Sequence, residues 1–236
     1  MKTFQLLLLS VAAFILSSQV LFGQEEESNT KSSNEVKTLF SNENGETTHG
    51  GYLGVVISYS TIEDRPALQI GGRIAWVINH QFAMGFAGNG FFNDLENGNS
   101  NYTADYYLAG GYGGLFFQPI LFAKKPVHIS FPIIIGAGGV GIDQHYYYNN
   151  AHYGNDYYYN DYYYVSDMFF VFEPGIDVEF NMLSFMRMSI GASYRFTNDI
   201  NMVYEYNDSG VEKTIVVDPK SLNNFTFRIA MLFGWF

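Results

Sequence analysis

Eight charged residues occupy positions where chemistry could concentrate: Arg73, Asp105, Glu173, Asp177, Glu179, Arg187, Arg195 and Arg228. Five of them lie in Ser166–Thr197, where the pattern is strict. Glu173, Asp177 and Glu179 alternate with Phe172, Ile176, Val178 and Phe180, and Arg187 and Arg195 alternate with Met186, Met188, Ile190 and Tyr194. A period of two is the signature of β-strands, and the break near Asn181–Phe185 makes the stretch a hairpin. With its turn near Leu183, Glu179 faces Arg187 across the pair. Four arginines and four acids on one face suit either a polar conduit with a ligand site or a neutral ion-pair network that plugs a lumen. The second reading is preferred, because unpaired buried charge is costly.

Other reactive residue types cluster less tellingly. His145–Tyr164 holds ten tyrosines: Tyr146, Tyr147, Tyr148, Tyr153, Tyr157, Tyr158, Tyr159, Tyr162, Tyr163 and Tyr164. Tyrosine offers rigid amphipathic contact area at low entropic cost, so the segment is a candidate binding surface for an external glycan or protein. His145, His152, Asp156 and Asp161 match no metal-ligand spacing, and no metal or cofactor is expected. His80 and His128 read as satisfied rim histidines. No Ser-His-Asp arrangement forms, so the chain is not expected to be an enzyme. Gly110–Gly114 and Gly136–Gly141 precede no helix and are not phosphate loops; they mark curved or closely packed strands.

The chain of 236 residues carries a formal charge of −11, 19 Tyr, 22 Phe and no Cys. Acidity argues against nucleic acid, and the missing cysteine excludes disulfides and a thiol nucleophile. Residues 1–23 read as a signal peptide, with Lys2 ahead of the apolar run Leu6–Leu16. Residues 24–49 read as a flexible acidic periplasmic leader with little to bury. No later segment is long and apolar enough for a helical span.

Residues 50–236 divide into eight alternating strands: 51–61, 67–79, 82–92, 103–117, 127–142, the two of the hairpin, and 222–236. Leu53, Val55, Ile57, Ile70, Trp76 and Phe86 fall on the apolar face, Gln69 and Arg73 on the other. In the fourth strand Tyr106, Leu108, Tyr112 and Phe116 are assigned to the apolar face. Pro132 predicts a bulge in the fifth. An Asn207–Gly210 turn joins two arms too short to span. Lysine decides which environment the apolar face meets. All seven lysines lie before the spanning strands or between them, whereas arginine occupies the strands. An enclosed polar space favours arginine, whose planar fork satisfies several carboxylates, so the apolar face meets lipid. The expected fold is all-β: an eight-stranded antiparallel transmembrane up-and-down β-barrel. Apart from Thr61–Pro66, its short turns fall at the end bearing both termini, with Trp76 and Trp235 on that rim.

The signal-like start, the eight strands and the terminal Phe236 resemble small OmpA/OmpX-type barrels. Gly110–Phe117 (GGYGGLFF), Val127–Ser130 (VHIS) and Gly136–Gly141 (GAGGVG) resemble uncharacterised outer-membrane β-barrel proteins of Bacteroidetes-type bacteria. By strict alternation Phe233 and Trp235 face lipid and Phe236 does not, a departure from the usual terminal phenylalanine. The resemblance implies a monomer in the cell outer membrane with a structural or surface-recognition role. The alternatives are a narrow transport or assembly component of a secretion or uptake system and, less favoured, a barrel-embedded enzyme.

Overall fold

The computed structural model describes residues 47–96, 105–145, 165–208 and 211–236. These residues form strands throughout: β1 (His49–Ile62), β2 (Arg65–Ile78), β3 (Phe82–Glu96), β4 (Asp105–Leu121), β5 (Val127–Ser130), β6 (Ile133–His145), β7 (Val165–Leu183), β8 (Met186–Tyr194), β9 (Phe196–Thr197), β10 (Val203–Asp208), β11 (Val211–Val216) and β12 (Phe225–Trp235). β5 continues into β6 and β8 into β9, so ten strands make eight staves. The staves pair antiparallel in chain order, and β12 pairs with both β8 and β1, which closes the ring.

The registers fix how the ring closes. Leu121 pairs with Ile129, and the partners run on through Val178, Ile190, Ile229, Ile57, Ile70 and Gly90 to Gly111. One circuit therefore returns to β4 ten residues from its start, a shear of ten. With ordinary strand spacings, eight staves and that shear tilt the strands by about 40°. Leu53, Val55, Ile57, Ile70, Ile74, Phe86, Ile190, Phe227 and Ile229 are exposed around the outside. Solvated, such a band would be a grave liability; in a bilayer it is the contact surface.

The inner end carries the start of β1, the end of β12 and the turns after β2, β4 and β7. Glu63 and Asp64 at the outer end form a two-residue turn, and Asn79 and His80 open the three-residue turn Asn79–Gln81 at the inner end; all four residues have positive φ (53°, 59°, 51° and 60°). Such turns match the strand twist, and Asn and Asp tolerate that backbone region best. Trp76 and Trp235 are both exposed and pair with Gly51 from either side, at the expected rim. Away from the ring, β10 and β11 form a separate ribbon that carries Lys213.

Four sequence expectations need correction. Leu108, Tyr112 and Phe116 point into the barrel, and Leu115 points out. Gly110, Gly111, Gly113 and Gly114 sit on both faces of β4 and erase its alternation, and the Tyr112 hydroxyl finds an acceptor only inside. Pro132 interrupts the stave without a bulge. The pairings of β5 and β6 with β4, and with β7, keep one register across the gap. Phe131 N–H still donates to Pro119 O, and Pro132 O accepts from Gly175 N–H. The proline removes one donor and inserts nothing. Glu179 lies opposite Ser189, not Arg187, because the hairpin turns at Ser184–Phe185 with a shift between Asn181 and Leu183. Finally, the interior is not polar along its whole length. Toward the outer end it is filled by Ile62, Leu108, Val140, Ile142, Phe169 and Val171, and Ile200 and Met202, between β9 and β10, and Leu222, between β11 and β12, are buried with them.

Candidate functional site

Below that apolar cap, the inward positions of seven staves converge on three carboxylates. Asp177 accepts from Arg228 Nε at 2.8 Å and from Ser189 Oγ at 2.8 Å. Arg73 Nη1 stands 3.5 Å from its other side. Glu179 accepts from Ser130 Oγ at 2.7 Å and from the Gln118 amide, and meets His128 Nε2 at 2.9 Å and Arg187 Nη1 at 3.6 Å. Since a carboxylate only accepts, the contact with Glu179 is one in which His128 Nε2–H donates. Glu173 accepts from Ser193 Oγ at 2.6 Å and from the Tyr112 hydroxyl, with Arg228 Nη1 at 3.7 Å. Tyr112 in turn accepts from Asn89 Nδ2 at 3.1 Å, and Tyr52 donates to Gln118 Oε1.

The three acids are buried, as are Arg73, Arg187 and Arg228. Three arginines and three acids form one balanced cluster, which is how enclosed charge is tolerated. Strand geometry makes the cluster compact: inward positions recur every second residue, so Glu173, Asp177 and Glu179 climb one stave. Glycines on the same face make room for the side chains. A Cβ at Gly175 would run into the Arg228 guanidinium, and one at Gly191 into the Asp177 carboxylate.

Arg195 stands apart. It is fully buried, its Nε donates to Leu222 O at 2.8 Å, and its guanidinium lies 5.4 Å from the Phe91 ring centroid and 5.2 Å from that of Tyr112. Among the described residues it meets aromatic faces rather than a carboxylate, a role suited to a weakly hydrated planar cation. Asp105, also expected in the ion-pair network, opens β4 opposite His145 at the outer end, and its side chain is not among the described ones. Among the described side chains, the expected balance of four against four is therefore three against three plus Arg195.

Side chains also fill the lumen toward both ends of the described chain. At the inner end Phe236 turns inward, stacks on Tyr52 at 5.7 Å and lies 3.9 Å beneath the Arg187 guanidinium. Between the two ends, Ser58, Arg73, Asn89, Phe116, Glu173 and Arg228 border a cavity of about 20 Å³, which is room for a water or two. Tyr52, Gln118, Ser130 and Ser189 joined this network unannounced by the sequence, and His128, read as a satisfied rim histidine, is buried in it against Glu179. Their inward parity was the available signal, and neutral residues gave no reason to use it. Tyr146, Tyr147, Tyr148, Tyr153, Tyr157, Tyr158, Tyr159, Tyr162, Tyr163 and Tyr164 lie outside the described residues, as do residues 1–46.

No protein-family model matches the chain, and no curated protein matches it in sequence. Among solved structures, it is similar to a major outer membrane protein from Thermus thermophilus, with a TM-score of 0.43, 8% identity, and coverage of 78% of this chain and 99% of that one. Neisserial surface protein A is matched with a TM-score of 0.40, 9% identity, and coverage of 80% and 98%. Ail, the attachment invasion locus protein of Yersinia pestis, solved with the heparin analogue sucrose octasulfate, is matched with a TM-score of 0.39, 12% identity, and coverage of 79% and 97%. The assignment rests on the barrel's own construction. A ring with no free edge, an apolar band outside and charge sealed inside is the architecture that spans a lipid bilayer with strands, and the chain is a β-barrel of the outer-membrane type.

Proposed function

We propose that the protein is a sealed, monomeric scaffold of the outer membrane that displays a recognition surface to the outside and passes no solute. The observation that supports this reading most is the packing of side chains toward both ends. Phe236 and Arg187 fill the inner mouth, the cap of Ile62, Ile200, Met202 and Leu222 fills the outer one, and the balanced ion cluster occupies the space between. A network of this kind stabilises a narrow barrel and offers no reacting group to a substrate, which favours a non-enzymatic role. Binding is assigned to the tyrosines of 146–164, whose asparagine neighbours supply hydrogen bonds and whose rings suit sugar faces or a protein partner.

Deleting Tyr146–Tyr164 tests this division of labour. The deleted protein should still fold into a barrel whose unboiled and boiled forms migrate differently in SDS gels. It should lose binding to a glycan array or to host-surface proteins that the intact protein retains. A deletion that prevents barrel formation would make the tyrosines structural. Steady unitary currents from the intact protein in a planar bilayer would instead favour the narrow-transport reading.

A further inference from the structure

Charge is distributed unevenly between the two ends of the barrel. At the outer end Asp64, Asp199, Glu205, Glu212 and Asp218 are exposed. At the inner end, among the described residues outside the lumen, no acid occurs, and the turn between β4 and β5 exposes Lys124 and Lys125 side by side. Two lysines at one turn are unusual in a chain whose described ring strands contain none.

The turn is built rather than loose. Lys125 N–H donates to Phe122 O at 2.8 Å, with Phe122 at positive φ (59°). Lys125 O accepts from Asn181 Nδ2 at 3.2 Å, and Asn181 N–H donates to Pro126 O at 2.9 Å, which locks this turn to the neighbouring β7–β8 turn. The Lys125 ammonium rests 4.8 Å from the Phe122 ring centroid. Around the pair, Phe122 is 61% exposed, and Met182, Leu183 and Phe185 are exposed on the adjoining turn. The lip therefore sets two cations, one of them held over the Phe122 ring, beside exposed apolar side chains of two turns at the same end of the barrel.

We propose that this lip, formed by Lys124, Lys125, Phe122 and Phe185, binds the headgroup of an anionic phospholipid in the inner leaflet, its acyl chains lying against Phe122, Met182 and Phe185. The match is one of charge and depth. Phosphate and acyl chain meet at the level where ammonium and ring are held together, and each lysine near such a surface favours an anionic lipid about fivefold. A soluble anion would use the lysines and leave the aromatic lip without a role. The proposal rests on the membrane-barrel reading and would be tested apart from it.

The test is native mass spectrometry of the full, detergent-released chain with equal amounts of phosphatidylglycerol and phosphatidylcholine of matched acyl chains. The wild type should retain phosphatidylglycerol preferentially. K124Q/K125Q should reduce that preference by about five- to 25-fold, while K220Q, at the outer end, should leave it unchanged. Equal retention of both lipids by the wild type overturns the proposal, and so does an undiminished preference in the double variant. Displacement of the lipid by millimolar inorganic phosphate alone would mark a free-anion site and also overturn it. A chain soluble without detergent would fail earlier, at the barrel itself, and the gel shift of unboiled protein distinguishes that failure.

Discussion

The guanidinium carbon of Arg187 lies 3.9 Å from the centroid of the terminal Phe236 ring, and its Nη1 lies 3.6 Å from the Glu179 carboxylate. One cation is thus shared between a carboxylate inside the barrel and an aromatic stopper at its mouth. Phe236→Ala should remove the stopper and let water reach Arg187, weakening the barrel by about 1–2 kcal/mol. The outer cap keeps the lumen closed in this variant. Denaturant titration in detergent micelles reads the first effect, and the continued absence of current in a planar bilayer reads the second. An unchanged midpoint would mean that the ring is ornamental.

Asp177 is the centre of the charge cluster, so its loss should be felt most. Asp177→Asn keeps the shape but leaves Arg228 and Arg73 without their shared anion, at a cost of about 3–5 kcal/mol. Lys220→Ala, an exposed cation in a connection, should cost less than about 0.5 kcal/mol. Comparable small losses from both would indicate that water reaches Asp177 and that the lumen is open. A double change of Asp177 and Arg228 should cost less than the sum of the single changes, since each removes the other's penalty.

Glycines on the two faces of the wall should respond in opposite ways. Gly191→Ala drives a methyl group into the Asp177 carboxylate and the Ile176 carbonyl, and should destabilise the barrel by roughly 1–3 kcal/mol. At Gly139 an added Cβ would meet nothing nearer than Asp167 O at 3.7 Å. Gly139→Ala should therefore be neutral or stabilising by up to about 1 kcal/mol through the unfolded chain. Thermal unfolding of the two variants, side by side, checks the contrast.

The hairpin of β7 and β8 was legible in its faces from Phe172 to Phe180 and along β8, where every second residue is apolar and the others are acids, arginine, serines or glycines. β4 was not. Its aromatics occur at both parities, as in Tyr106–Tyr107 and Phe116–Phe117, and its glycines carry no facing information. Only the position of Glu173 across the lumen explains why Tyr112 turns in, and that is a tertiary fact. The outer cap was hidden for a related reason: Ile200, Met202 and Leu222 lie in a connecting segment, where isolated apolar residues imply no partner. Charge counting found the ion cluster, but it could not say which cation meets which acid, since those pairings depend on a register that the sequence does not state. The cluster's existence was readable; its pairings were not.

Closure of the ring between β1 and β12 also sets the order in which the protein can become stable. Gly51 and Trp235 are partners, so the last seam joins residues from the two extremes of the barrel sequence. Neighbouring staves need only hairpin contacts, which form early and cheaply, whereas the seam must await the final strand. Until then both flanks present unpaired N–H and C=O groups that lipid cannot satisfy. Insertion must therefore be nearly all-or-none, and a chain stopped short of β12 would be lost as a membrane protein even with most of its wall already synthesised.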